Sequence, residues 1–178
     1  SFVSPSLELN FIYEEIKNQN ENDIISLYDA KNWLCLLNPE RYEEKKDYIN
    51  DLCSTNYDVL VIDAFFYENE MLTKDDLEQL ETKANGGKRI VLSYLSIGEA
   101  EDYRYYWKDE YDKNPPEWIL TENPKWEGNY PVKYWNEEWQ NIIVFSENSY
   151  LNRIIETGFD GVYLDIVDGY ETFEYMNE

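Results

Sequence analysis

The sequence predicts an α/β protein built on a parallel sheet, and three observations predict it. Four short apolar runs, at 32–39, 57–66, 89–98 and 162–167, read as buried strands. Stretches of near-helical spacing separate them, the pattern of strands joined by right-handed crossovers. Acids recur at the C-terminal ends of the runs, at Asp63, Glu99 and Asp165. That edge carries the active site in open α/β sheets and in (β/α) barrels.

Residues 1–30 are polar and weakly patterned, and read as an N-terminal arm, with a short helix anchored by Ile12, Ile16 and Phe11. The first strand, Trp33 to Leu37, ends at Asn38-Pro39. Tyr42, Tyr48, Ile49 and Leu52 mark a crossover helix over 40–52. The second strand is apolar up to Asp63. Thr73 is placed as an N-cap with Asp76 three residues on, and the helix runs to about Ala84 before Asn85-Gly86-Gly87. The third strand ends at Gly98, and Glu101-Asp102 reads as a polar helix start. A long loop over 108–136 is rich in Pro, Asn and aromatics, a length that is usually functional. One helix is expected from Glu137 to Thr157, ending near Gly158, and then the fourth strand.

Composition narrows the function classes. The net charge of −23 argues against nucleic acid or an anionic membrane surface, and suits a cationic ligand or solubility alone. His is absent, which excludes a Ser-His-Asp triad, Cys-His chemistry and His-ligated zinc within this chain. Cys35 and Cys53 have no metal-site spacing and read as free thiols, with a single bridge open to an exported protein. No apolar run is long enough to span a bilayer. Neither a GxGxxG turn after the first strand nor a Walker A loop is present, so nucleotide binding has no motif behind it. No cofactor is expected. Asp165-x-x-Asp168-Gly169 does not supply the ligand pattern of an EF-hand loop.

Three stretches carry a resemblance. They are Tyr94-Leu95-Ser96-Ile97-Gly98-Glu99-Ala100-Glu101-Asp102-Tyr103-Arg104, Gly128-Asn129-Tyr130-Pro131-Val132-Lys133-Tyr134-Trp135, and Gly158 through Tyr170. In this order they resemble the glycoside hydrolase family 114 superfamily, and most its bacterial branch of extracellular proteins once labelled as related to cysteinyl-tRNA synthetase. The resemblance runs from about Trp33 to the C-terminus. It implies a (β/α)8 TIM-barrel type, with residues 31–178 covering about the first four β/α units. It implies endo-α-1,4-polygalactosaminidase chemistry on a cationic amino-sugar polymer, by two carboxylates, outside the cell or at its surface. One catalytic acid of the family ends the fourth strand, and Asp165 occupies the matching position. The other lies on a later strand, so the partner carboxylate has no position here. A full barrel takes about 250 residues. Four units alone are expected to need a second chain or copy to cover the sheet edge.

Asp165 is therefore the candidate catalytic carboxylate, as nucleophile or electrostatic stabiliser. An acid at the end of a buried strand is costly to desolvate and is usually kept for a purpose. The purely structural reading has it capping the next helix or pairing with Arg104. Asp63, Glu99 and Asp168 are candidate substrate contacts; a salt bridge from Glu99 to Arg104 is the alternative. Tyr94, Tyr130 and Trp135 are candidate sugar-stacking residues, although Tyr94 and Tyr163 also read as barrel-lining core. Opposed to the hydrolase reading is a non-catalytic glycan-binding or surface protein on the same scaffold.

Overall fold

A computed structural model describes residues 11–13, 15–67 and 70–175. The first part of the expected N-terminal arm, residues 1–10, lies outside them. The element order is β1 (Trp33–Leu36), α1 (Lys45–Cys53), β2 (Val59–Ile62), α2 (Lys74–Leu80), β3 (Ile90–Ser96), β4 (Glu99–Glu101), β5 (Asn129–Pro131), α3 (Glu137–Gln140), a π-helical turn (Asn141–Phe145), α4 (Tyr150–Thr157), β6 (Gly161–Asp165) and α5 (Glu171–Tyr175). Two sheets form, one ordered β1-β2-β3-β6 and one pairing β4 with β5. β1 and β2 pair in parallel, as do β2 and β3. Asp160 N–H donates to the Val91 carbonyl and Ile97 N–H to the Asp165 carbonyl, so the β3 and β6 partners rise together, as in a parallel ladder. Neighbours that stay in chain order, joined by crossovers, are the strand order of a singly wound (β/α) barrel; a doubly wound sheet reverses its order.

The chain divides into two compact units. The first holds the described residues up to 94 together with 154–163. All four residues of β2 are buried, as a central parallel strand requires. Ile24, Ala30, Val59, Val61 and Ile90 form a core cluster, so the later part of the N-terminal segment packs into this unit. Lys83 holds that segment in place: its ammonium donates to the Asn20 and Asn22 carbonyls, at 3.1 and 2.8 Å, and to Asp58 at 3.1 Å. Both side chains of the Lys83–Asp58 pair are fully buried. Each charge is satisfied by hydrogen bonds, the condition on which a buried ion pair is tolerated. The Asp58 carboxylate accepts in addition from Asn20 Nδ2 and the Lys31 N–H. Residues 11–13 and 15–16 are not helical, so the helix expected around Ile12 and Ile16 does not form.

The expected start of α2 is present. Thr73 Oγ1 accepts from the Asp76 N–H and Asp76 Oδ2 accepts from the Thr73 N–H, a complete capping box. Cys35 and Cys53 are both half-buried thiols, not bridged to each other.

The second unit holds residues 95–153 with 164–175. Two expectations change within it. Glu99–Glu101 is a strand, not a helix start, because the loop expected over 108–136 folds back and supplies β5 as its partner. The single helix expected over 137–157 is interrupted by the π-helical turn and by the turn at Ser146–Ser149. Local side-chain bonds explain the break: Ser149 Oγ donates to the Val144 carbonyl and accepts from the Asn152 N–H, and Asn152 Nδ2 donates to the Glu147 carbonyl. Such residues compete with the helix for its own backbone groups. In the first unit α4 ends, as expected, at Gly158, which takes φ 106°.

Candidate functional site

The second unit gathers carboxylates where β3 gives way to β4 and where β6 ends. Alternation along β4 puts Glu99 and Glu101 on one face of the hairpin and Ala100 on the other. Glu99 is 7% exposed and Glu101 2%, both far more buried than acids usually are. Arg104 forks onto Glu101, its Nε donating to Oε2 at 2.7 Å and its Nη2 to Oε1 at 3.3 Å. Tyr103 Oη adds a third donor to the same carboxylate at 2.6 Å. Arg104 thus forks onto the acid three residues before it.

Glu99 is held differently. Asn123 Nδ2 donates to its Oε1 at 2.7 Å, and the Ser96 hydroxyl donates to its carbonyl at 2.9 Å. Burial raises the Glu99 carboxyl above its ordinary value; the Asn123 hydrogen bond opposes that, and the nearby charges of Asp165, Glu101 and Asp168 push further upward. Glu99, Asp165 and Asp168 therefore share one electrostatic neighbourhood.

Asp165 owes its place to its backbone. Its carbonyl accepts from the Ile97 N–H at 3.1 Å, one residue before Gly98. Ile166 then takes φ 57°, a left-handed conformation that a β-branched residue rarely adopts. Gly98 makes room for it: a Cβ there would meet Ile166 Cγ2 at 2.5 Å and the Ile166 carbonyl at 2.6 Å. The Gly169 N–H donates to that same carbonyl at 3.1 Å, one residue after Asp168. Asp165 and Asp168 thus flank a strained turn clamped between two glycines. Strain of this kind concentrates at functional sites.

The remaining candidates are distributed as follows. Tyr130 pairs across the hairpin with Ala100, on the face opposite Glu99, and its ring packs against Trp107 at 4.8 Å between centroids. Trp135 is 52% exposed and meets Tyr134 edge-on at 5.0 Å and Phe173 of α5 at 4.6 Å. This aromatic group is joined to Asp168 by the short stretch leading into α5. Asp63 and Tyr94 lie in the first unit, both half-buried. Asp63 Oδ1 accepts from the Phe65 N–H at 2.8 Å, a local turn bond. Tyr163, read as a core residue, is an exposed ring that stacks on Trp33 at 6.4 Å. Asn123 was missed, since a single amide in a long loop carries no sequence signal. Among the described residues no group of three or more His, Cys, Asp and Glu side chains could hold a metal ion.

Strands in barrel order, with acids where the third strand gives way to β4 and where β6 ends, make the layout of the edge that carries the active site in (β/α) barrels. The profile of Glycoside-hydrolase family GH114 matches residues 17–178, and the chain belongs to that family. It is 46% identical over 139 residues to the uncharacterized protein MJ1477 of Methanocaldococcus jannaschii, a match covering 77% of this chain and 37% of that protein. An uncharacterized protein of Thermotoga maritima is 39% identical over 121 residues, covering 68% of this chain and 36% of that one. The chain thus spans little more than a third of the length of these curated relatives. Among solved structures, Aspergillus fumigatus Ega3 in complex with galactosamine is similar with TM-score 0.49 and 24% identity, over 66% of this chain and 40% of that one. The glycoside hydrolase domain of PelA from Pseudomonas aeruginosa is similar with TM-score 0.43 and 18% identity, over 65% and 39%.

Proposed function

We propose that this chain contributes one wall of the active site of a glycoside hydrolase that cuts an α-linked amino-sugar polymer resembling polygalactosamine. The observation that carries the reading is the shared neighbourhood of Glu99, Asp165 and Asp168 in a chain of net charge −23. Protonated amino sugars would be drawn to such a field. The galactosamine bound to Ega3, a protein similar to this one, agrees in substrate class.

In this reading Asp165 is one of the two carboxylates that flank the scissile bond, as nucleophile or stabiliser of the oxocarbenium-like transition state. Its partner is supplied by a segment outside this chain. Glu99 and Asp168 bind the amino group or hydroxyls beside it, with Asn123 orienting Glu99. Trp135 offers a stacking face and Tyr130 a further contact; Asp63 and Tyr94, in the first unit, are kept as candidate substrate contacts. The same reading places the protein outside the cell or at its surface, where such polymers lie. No helix among the described residues is long and apolar enough to cross a membrane.

The test is reducing-end release from α-1,4-linked polygalactosamine by the complete protein and by its Asp165→Asn variant. We expect a loss of at least about a thousandfold on removing a catalytic carboxylate. Equal rates for the two proteins would remove Asp165 from the mechanism. Saturable binding of the polymer with no chain cleavage by the native protein would instead assign the non-catalytic, glycan-binding role.

A further inference from the structure

The second unit contains a cleft of about 450 Å³ that shares no residue with the carboxylate group just described. Its volume lies within the range of small-molecule sites. Two cations, Lys108 and Arg153, line it against one lining acid, Glu138; Lys108 also stands 4.0 Å from Glu110, which does not line the cleft. That balance is out of keeping with a chain of 38 acidic and 15 basic residues. Both cations are held against aromatic rings. The Arg153 guanidinium lies 4.0 Å from the centre of the Tyr105 ring, and Lys108 Nζ 5.2 Å from that of Tyr111. A guanidinium stacked on a ring uses its face, while its hydrogen bonding runs in its own plane, toward planar acceptors such as carboxylates.

The backbone around the cleft is also unusual. One side comes from the π-helical turn Asn141–Phe145, a rare element that appears mostly where a helix serves a site. Asn148, in the turn before α4, adds an amide beside the cations. Tyrosine, amide and a net positive lining together match a sugar ring that bears a carboxylate. The tyrosines offer apolar surface to the ring, the amides pair with hydroxyls, and the two cations take the acid.

We propose that this cleft is a second carbohydrate site, selective for a carboxylate-bearing sugar such as a hexuronate unit. Its preference is opposite in sign to that of the Glu99–Asp165–Asp168 group, and it stands whether or not the chain takes part in hydrolysis. The site would let the protein hold an acidic glycan while its other site engages a cationic one.

Calorimetric titration of the complete protein with digalacturonate tests this, beside the neutral galactose disaccharide and acetate as probes of ring and carboxylate alone. We expect saturable binding of digalacturonate, at least about tenfold tighter than either probe, the worth of one charge-assisted pair. Arg153→Gln should weaken it by a further factor of about ten on the same grounds. Lys108→Glu, at an exposed position, should weaken it in the same direction, and Asp165→Asn should not change it. No saturation by digalacturonate, equal affinity for the neutral disaccharide, or undiminished binding by Lys108→Glu would each overturn the assignment.

Discussion

Gly98→Ala adds one methyl group, and the structure places that methyl against backbone. At its ideal position the new Cβ sits 2.6 Å from the Ile166 carbonyl oxygen, 2.5 Å from Ile166 Cγ2 and 3.0 Å from Ile166 Cβ. Restoring ordinary contact requires the two segments to part by about 0.6–1 Å, and overpacking of this kind costs roughly 1–3 kcal/mol. The side chain of Ile166 cannot swing away alone, because its carbonyl is also in the way. That carbonyl is held by the Gly169 N–H, and a Cβ on Gly169 would itself meet it at 3.2 Å. The separation therefore pulls on the Ile97 N–H to Asp165 carbonyl bond, one residue from Gly98. A displacement of about 1 Å at a catalytic group can cost about a hundredfold in rate. Urea denaturation of this chain gives the stability change, and hydrogen exchange at the Ile97 amide gives the local one. Gly98→Ala should lower stability by about 1–3 kcal/mol and speed exchange at Ile97. Pairing it with Ile166→Gly removes two of the three close contacts and the left-handed strain, so the double variant should recover about 0.5 kcal/mol or more beyond additivity. A Gly98→Ala variant of native stability with unchanged protection at Ile97 would refute the clamp.

Two other outcomes follow from buried charge. Lys83→Met leaves Asp58 without its cation in the interior and should cost about 3–5 kcal/mol. It should also expose the segment around Asn20 to Asn22 to limited proteolysis, since Lys83 holds both carbonyls; an intact segment in a stable variant would contradict this. Glu99 contributes to the pH dependence. Its carboxyl is raised in the folded state, by burial first, so its favourable contribution is complete below the unfolded carboxyl value and is lost as pH rises through the folded one. Glu99→Gln should therefore be more stable than the native chain near pH 7, with the gap closing near pH 4, as read by denaturant midpoints. A gap that widens toward acid would reverse the reasoning.

Local signals were legible where one segment decides its own conformation. The apolar runs became β1, β2, β3 and β6 of one sheet, with β2 buried throughout as expected; the fourth run, read as a buried strand, is extended and paired but has no fully buried residue, with Tyr163 and Leu164 exposed. Thr73 and Asp76 cap α2 through bonds that span three residues, and Gly158 ends α4 through its own φ. The position of Asp165 at a strand end was legible for the same reason. The break at Ser146–Ser149 was less so, because the apolar spacing of the flanking segments continues across it and only the side-chain bonds of Ser149 and Asn152 interrupt the helix. Glu101 read as a helix start because its strand partner, Asn129, lies 28 residues away.

The sequence by itself determined the α/β class, the strand order that a run of crossovers imposes, the family, and the acids at the strand ends. Only the tertiary structure decided which of those acids stand together. The Glu99 carboxyl is raised by burial and by the charges of Asp165, Glu101 and Asp168, which are properties of assembled space and not of spacing along a chain. The same is true of the Arg104 fork on Glu101, the Asn123 amide on Glu99, and the room that Gly98 leaves for Ile166. Each depends on atoms brought within a few ångströms by folding, where a hydrogen bond, a contact or a desolvated charge acquires its energy.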